Sequence, residues 1–413
     1  MKGLVIFYYK IMKKNILSIF LALLSTAPSM AQLNGDGFYR IQNVTTGRYM
    51  TLCDNHSKGV NVNATTAEVG ALETRPSYEN VVSDPGSIFY IKHIQNDDYN
   101  IFAQGADMHA LTEYYIKLTY RNAQKAYLAH QSSNGYDLRL QDEIKNCGTT
   151  GNSYVTTVNQ NDIANTQHWK ITPVSTSTSN YIGITPNVSA NGKYYTLYYT
   201  GFDYNLVSPG MKAYYVSKVD ESKAVVVYKE ITGTIPAKTP VVIECNSKNP
   251  ADNKIMPMMQ ATKNTYSNKL VGVFFSTGNL WSGHYNSIVF NEGNMRTLGS
   301  KNNKVVFNTS TELLPTVEVC LVPNSSKNED YEMKKCIGPN TAYIEVSAST
   351  AKELNWMSET DYITASITNP NTNDSYPADI YDLNGNLVKK NATSTEGLAK
   401  GVYIYKGKKL VVS

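Results

Sequence analysis

The residues of this chain that could do chemistry are six histidines (His56, His93, His109, His130, His168, His284), five cysteines (Cys53, Cys147, Cys245, Cys320, Cys336) and a few adjacent acids. No two histidines stand at the His-x-x-x-His spacing that sets two imidazoles on one helical face, and none joins the cysteines in a zinc pattern. A nucleophile elbow, a phosphate loop and a dinucleotide fingerprint are absent. Cys147 and His168 would make a nucleophile and its base if folded together, but any chain with this many Cys and His offers such pairs. The two acids of a glycoside hydrolase need only be close in space, so sequence spacing does not test for them. Asp97-Asp98 and Glu329-Asp330 would point to opposite faces of a strand, and solvated loops account for them better. Asp382-x-Asn384-x-Asn386 imitates the first half of a calcium loop. Gly385 falls at the fourth position, however, and Thr393 stands where a bidentate acid is needed, so a hairpin turn is the better reading. The chain carries no catalytic motif, and neither metal nor cofactor is expected.

The elements that would position any site are strands. Apolar alternation and turn residues recur every eight to twelve positions, which predicts an all-β chain, with short helical pieces only at 351–356 and 142–145. The 31 tyrosines against 10 Phe and 3 Trp suit exposed sheets, where a ring gives apolar area and its hydroxyl tolerates water. Composition divides the chain into residues 37–174, a Ser/Thr linker at 175–179, a β-rich unit at 180–357, an Asn/Thr/Pro-rich linker at 368–376, and a small β-module within 364–413.

The N-terminus reads as an export signal. Met12-Lys13-Lys14 is a basic start, 16–24 is an apolar run too short to span a bilayer, and Ser29-Met30-Ala31 offers small residues for cleavage before Gln32. Met12 opens a more typical signal than Met1. Loss of residues 1–31 removes four lysines and with them the whole net charge of +4, so the mature chain is balanced. The electrostatic case for nucleic acid then disappears, and no later run reaches transmembrane length. Five dispersed cysteines do not make a disulfide scaffold. Cys320 and Cys336 are close enough in sequence to bridge in an oxidising compartment, and free buried thiols remain the equal alternative.

A weak internal repeat marks residues 37–174. Gly37-Phe38-Tyr39-Arg40-Ile41-Gln42-Asn43 is echoed by Asp98-Tyr99-Asn100-Ile101-Phe102 and by Lys125-Ala126-Tyr127-Leu128-Ala129-His130, and the unit closes on Gln167-His168-Trp169. This pattern resembles the ricin-type β-trefoil. The resemblance implies that Trp169 is a core residue and that sugar sites rest on an Asp after a repeat's second strand, an aromatic platform and a nearby amide. The equivalent Asp position falls at Thr51 or Asp54 in the first repeat. In the third repeat the candidates are Asp137, with Asn134 and Tyr136 beside it. Carboxylate and amide groups would bridge adjacent hydroxyls while a ring stacks on the sugar's C–H face, although Asn and Asp also serve as ordinary turn residues.

The middle unit, with Lys212-Ala213-Tyr214 ahead of Ile235-Pro236-Ala237-Lys238-Thr239-Pro240, is similar to a β-sandwich module of secreted Bacteroidota proteins. Lys238 takes the place of the usual Gly there. Pro339-Asn340-Thr341-Ala342-Tyr343 resembles the Pro236 to Pro240 turn and reads as a duplication. The end of the chain, Tyr381-Asp382-Leu383-Asn384-Gly385 followed by Gly401-Val402-Tyr403-Ile404 and a Lys-rich last strand, resembles the C-terminal modules read by type IX secretion. The chain is therefore expected to be a secreted or surface-exposed all-β protein: a β-trefoil-like domain, a β-sandwich-like domain and a small β-module. Weak, multivalent carbohydrate binding is the function this implies. The alternative is an adhesin-like component that binds protein partners and has no sugar site.

Overall fold

The computed structural model describes residue 33 and residues 36–52, 72–105, 116–133, 136–143, 153–159, 167–259, 262–274, 278–279, 284–285, 288–309, 317–323, 331–368, 377–405 and 408–412. The expected signal segment, residues 1–31, lies outside them. The fold is all-β. Ten strands build the first unit: β1 (Gly37–Asn43), β2 (Tyr49–Leu52), β3 (Leu72–Arg75), β4 (Phe89–Gln95), β5 (Asp98–Ala103), β6 (Ile116–Arg121), β7 (Ala126–Ser133), β8 (Tyr136–Glu143), β9 (Ser153–Asn159) and β10 (His168–Pro173). Six of them close a ring in the order β1, β4, β5, β6, β7, β10 and back to β1, every pairing antiparallel. The other four form two hairpins, β2 with β3 and β8 with β9, which pair with each other through β3 and β9. A closed six-stranded ring carrying hairpins is compatible with a β-trefoil, and closure leaves the ring without open edges. The three sequence echoes fall on β1, β5 and β7.

Inward residues of the ring, among them Ile41, Phe89, Ile101, Leu118 and Trp169, fill one core. The alternation of β1 puts Tyr39 and Ile41 inside and would leave Phe38 and Arg40 facing water. Both are nevertheless buried. Phe38 joins Ile88 and Tyr90 of the first unit in a second core, shared with Ile182, Phe202, Ala213, Val241 and Ile243 of the middle unit. First and middle units are thus fused through apolar packing. Residues 175–179 are the hinge of this fusion: the backbone N–H of Ser175 donates to the carbonyl of Asn180, whose side-chain amide donates back to the carbonyls of Thr172 and Pro173.

The middle unit is a ten-stranded, strongly curved sheet faced by a three-stranded one. Its far side encloses a third core around Val216, Val226, Leu298, Phe307 and Leu354. Strands Val225–Ile231 and Glu353–Ser358 form a parallel pair within this sheet. The helix expected at 351–356 is therefore a strand: Leu354 is buried and Trp356 half-buried on the same face, and packing overrides local propensity. Residues 142 and 143, also expected to be helical, end β8. The helix lies later, at Glu359–Thr368, where the Ser358 hydroxyl accepts from the backbone N–H of Asp361 as an N-cap.

Lys238 has φ of 57°, in the left-handed region that favours glycine, and Asn340 has 54°, so both ends of the apparent duplication share this kink. Cys336 is disulfide-bonded. The register sets Glu318 opposite it and Cys320 opposite Lys334, so Cys320 lies diagonally beside Cys336 on the same face of that hairpin.

The C-terminal module is a four-stranded antiparallel sheet, one strand more than the sequence suggested: Ala378–Asp382, Leu387–Ala392, Gly401–Tyr405 and Lys408–Val412. Among the described residues no helix is long and apolar enough to cross a membrane.

Candidate functional site

Trp169 sits where the trefoil reading places it. Its ring is fully buried, and its indole N–H donates to the carbonyl of Leu140 at 3.1 Å, pinning β10 to β8 across the core. Of the first-repeat alternatives, Thr51 is buried and its hydroxyl donates to the Asp84 carboxylate at 2.5 Å, so it braces the turn at Pro85–Ser87. Asp54 and Asn134 lie outside the described residues. Tyr136 and Asp137 open β8, opposite Ser133 and Ser132 of β7. Of the acid pair at the β4–β5 turn, expected to be solvated, Asp98 is instead buried with one carboxylate oxygen lacking a hydrogen-bond partner. Cys147, for whose pairing with His168 the sequence held no particular reason, also lies outside the described residues.

The other polar groups that could act are engaged in structural bonds. Asp382 accepts from the backbone N–H groups of Asn384 and Asn386 and from the Asn386 side chain, all at 2.8 Å, with Gly385 at φ 86°. Those bonds hold its carboxyl below the ordinary range, the Asn386 side chain first. It is a turn, as expected. Arg296 is buried and donates only to backbone carbonyls, those of Ala351, Glu292, Met295 and Thr350. Among the described residues no three of His, Cys, Asp and Glu are grouped to hold a metal ion.

Two of the aromatic groups among the described residues gather rings near charged side chains. On the curved sheet, Tyr214 donates to Glu244 at 3.0 Å, and burial together with that carboxylate raises the Tyr214 hydroxyl well above its ordinary pKa. Tyr195, against the same carboxylate, is pushed up to about 12, mainly by burial. Next to them Tyr228 and Trp356 stack at 4.2 Å and 13°, with Tyr214 edge-on to both and Phe307 at 5.7 Å from Trp356. These rings fill one another's faces, which is packing and leaves no platform for a ligand.

The second group crosses the fusion between the units. Tyr49 of β2, Tyr78 of the turn at Tyr78–Asn80, and Tyr181 follow one another at 5.9 Å steps, with interplanar angles of 60° and 81°. All three are half-buried. Beneath them Arg40 donates to Ser87, Asn180, Val81 and Tyr181, and its guanidinium lies 5.1 Å from the Tyr78 ring centroid. Burial lowers the pKa of that guanidinium, with Tyr78 the largest opposing influence. The sequence signal for this feature was Phe38 and Arg40 on the outward side of β1, a pattern that only a strand covered on both faces explains.

No family model matches this chain, and no curated protein matches it.

Proposed function

We propose that the protein is exported and acts by binding carbohydrate weakly and at several points, through the trefoil. The observation that carries the reading is the closed six-stranded ring with a sequence echo at the head of each repeat. Such a ring is a rigid scaffold from which loops can present one shallow site per repeat. The signal-like start and the sorting-like end support export, and so does the disulfide at Cys336, a bond that persists in oxidising compartments. Asp54 would serve the first repeat, and Asn134, Tyr136 and Asp137 the third. Each site offers one ring and a few hydrogen bonds against hydroxyls that must give up water. Affinities nearer millimolar than nanomolar follow, about −4 to −5 kcal/mol per site, and useful strength comes from several sites acting together.

A glycan-array screen of the chain from Gln32 onward tests the reading, with Asp54→Ala and the Tyr136→Ala/Asp137→Ala pair as variants. Binding that falls in steps with these changes supports it. Absence of any glycan ligand refutes it and moves the adhesin-like alternative ahead. That alternative draws support from the apolar side chains which the C-terminal module leaves exposed, Leu383, Leu387 and Val388 among them. Intact mass of protein secreted by its own host tests export, because retained residues 1–31 would contradict a signal peptide.

A further inference from the structure

We infer that the helix Glu359–Thr368 is a releasable strap between the middle unit and the C-terminal module, held by an ionic latch around Tyr362 that opens as ionic strength rises while both bodies stay folded. The inference does not depend on the glycan reading. The helix lies against Val225–Ile231 and Glu353–Ser358 of the curved sheet and also against the last strand, Lys408–Val412. Each of these bodies has its own packing: Val226, Phe307 and Leu354 belong to the middle unit's core, and Ile380, Ala392 and Tyr403 to a core within the module. No described side chain of the helix joins either core, and its Ile363 is 47% exposed.

What holds the helix is charge. The Tyr362 hydroxyl donates to the Asp220 carboxylate at 2.5 Å and accepts from the Lys218 ammonium at 2.6 Å. Lys218 and Lys223 also lie 4.6 and 5.0 Å from the centroid of its ring. At the start of the helix Glu359 pairs with Lys229 of the sheet at 2.8 Å. Asp220 is fixed from the sheet side, by the Ser222 hydroxyl and the backbone N–H of Lys223, so the latch is set whether or not the helix is seated. Exposed charge pairs are individually weak and are screened by salt, unlike the burial of an apolar face. Acid is a poorer trigger, because the bond from Tyr362 holds the Asp220 carboxyl well below the ordinary carboxylate range and Lys218 above its own. Release also melts the strap. It has ten residues, and isolated helices shorter than about 12–15 residues are marginal in water. Once melted, it no longer fixes the direction of the module relative to the body.

Hydrogen exchange read by mass spectrometry tests this on the chain from Gln32 onward, in about 0.05 M and about 1 M NaCl. In low salt the amides of the helix should exchange about a hundredfold faster than those of Val225–Ile231, as expected of a local opening. High salt should speed the helix a further three- to tenfold or so, while Val225–Ile231 and Gly401–Tyr405 remain far slower than the helix. Tyr362→Phe, which keeps the ring and loses the hydroxyl, and Lys229→Ala should each bring low-salt exchange close to the high-salt rate. Combined, they should remove most of the salt response, and continued protection of Val225–Ile231 shows that the variants fold. A helix that exchanges no faster than Val225–Ile231, that ignores salt, or that is unmoved by both changes overturns the inference.

Discussion

Arg40 offers the sharpest test of the fusion between the first and middle units. It is 1% exposed and donates to neutral oxygens of Ser87, Asn180, Val81 and Tyr181. Arg40→Ala would remove all four bonds, but the damage is uneven. The Val81 carbonyl still accepts from Ser87, and the Tyr181 carbonyl from Tyr78. The half-buried Asn180 side-chain oxygen loses its Arg40 donor, at about 1 kcal/mol. The space left by the aliphatic stem adds about 1–2 kcal/mol. Relief from burying a charge offsets part of this, so a net loss of about 1–2 kcal/mol is expected. Arg40→Met, which refills the space, should lose about half as much. Urea unfolding of fluorotryptophan-labelled protein, in which separate fluorine resonances report Trp169 in the first unit and Trp356 in the middle one apart from Trp281, measures it. Both probes should shift to the same lower midpoint with unchanged slope, because the two units share a core. A double-mutant cycle with Asn180→Ala should return a coupling of about 1 kcal/mol. The reasoning is refuted if the two tryptophans unfold at separate midpoints in the unmodified protein, or if Arg40→Ala costs under about 0.5 kcal/mol, the size of an ordinary surface change.

Trp169→Ala should cost about 3–5 kcal/mol by emptying the trefoil core, seen as a lower urea midpoint, and a normal midpoint would show the ring to be superficial. The Asp220 carboxyl is held far below its ordinary pKa, first by the Tyr362 hydroxyl at 2.5 Å and then by Ser222. A lowered folded pKa gives stability that is complete above the ordinary carboxylate range and lost as pH falls through the folded value. Asp220→Asn should therefore flatten the acid side of the stability profile and loosen the helix at Glu359–Thr368, measurable by melting temperature against pH. Burial, with Glu244 adding, pushes the Cys245 thiol up to about 12, so iodoacetamide should leave Cys245 unmodified in folded protein and label it in urea, as peptide mapping will show. Lys238→Gly should stabilise by about 1 kcal/mol, since it relieves a left-handed backbone, and a drop in melting temperature would contradict this.

The all-β class and the burial of Trp169 were legible because each depends on alternation or on a motif local to one strand. What the sequence concealed depends on contacts between distant segments. Leu354 and Trp356 form part of a strand only because Val226 and Phe307 are there to pack against, and the cap of the helix after them, Ser358 with Asp361, was missed. The linker at 175–179 was expected to be a free spacer from its Ser/Thr content, yet Asn180 and Arg40, polar residues with no apolar signal, tie it down. Thr51 and Asp54 could not be separated by alignment. Thr51's bond to Asp84, 33 residues away, now gives it a bracing role.

The pairing pattern also says something about time. β1 has no ring partner on one side until β10 exists, and Val225–Ile231 must wait for Glu353–Ser358. A chain emerging from its N-terminus therefore cannot close its first barrel before residue 173 is free, nor complete its middle sheet before residue 358. Distant pairings of this kind make folding slow, because the entropy of closing long loops is lost before any contact compensates. In the interval the strands are exposed and must be kept from one another. The same delay keeps the polypeptide threadable, which suits any route that moves it unfolded across a membrane and lets it fold on the far side.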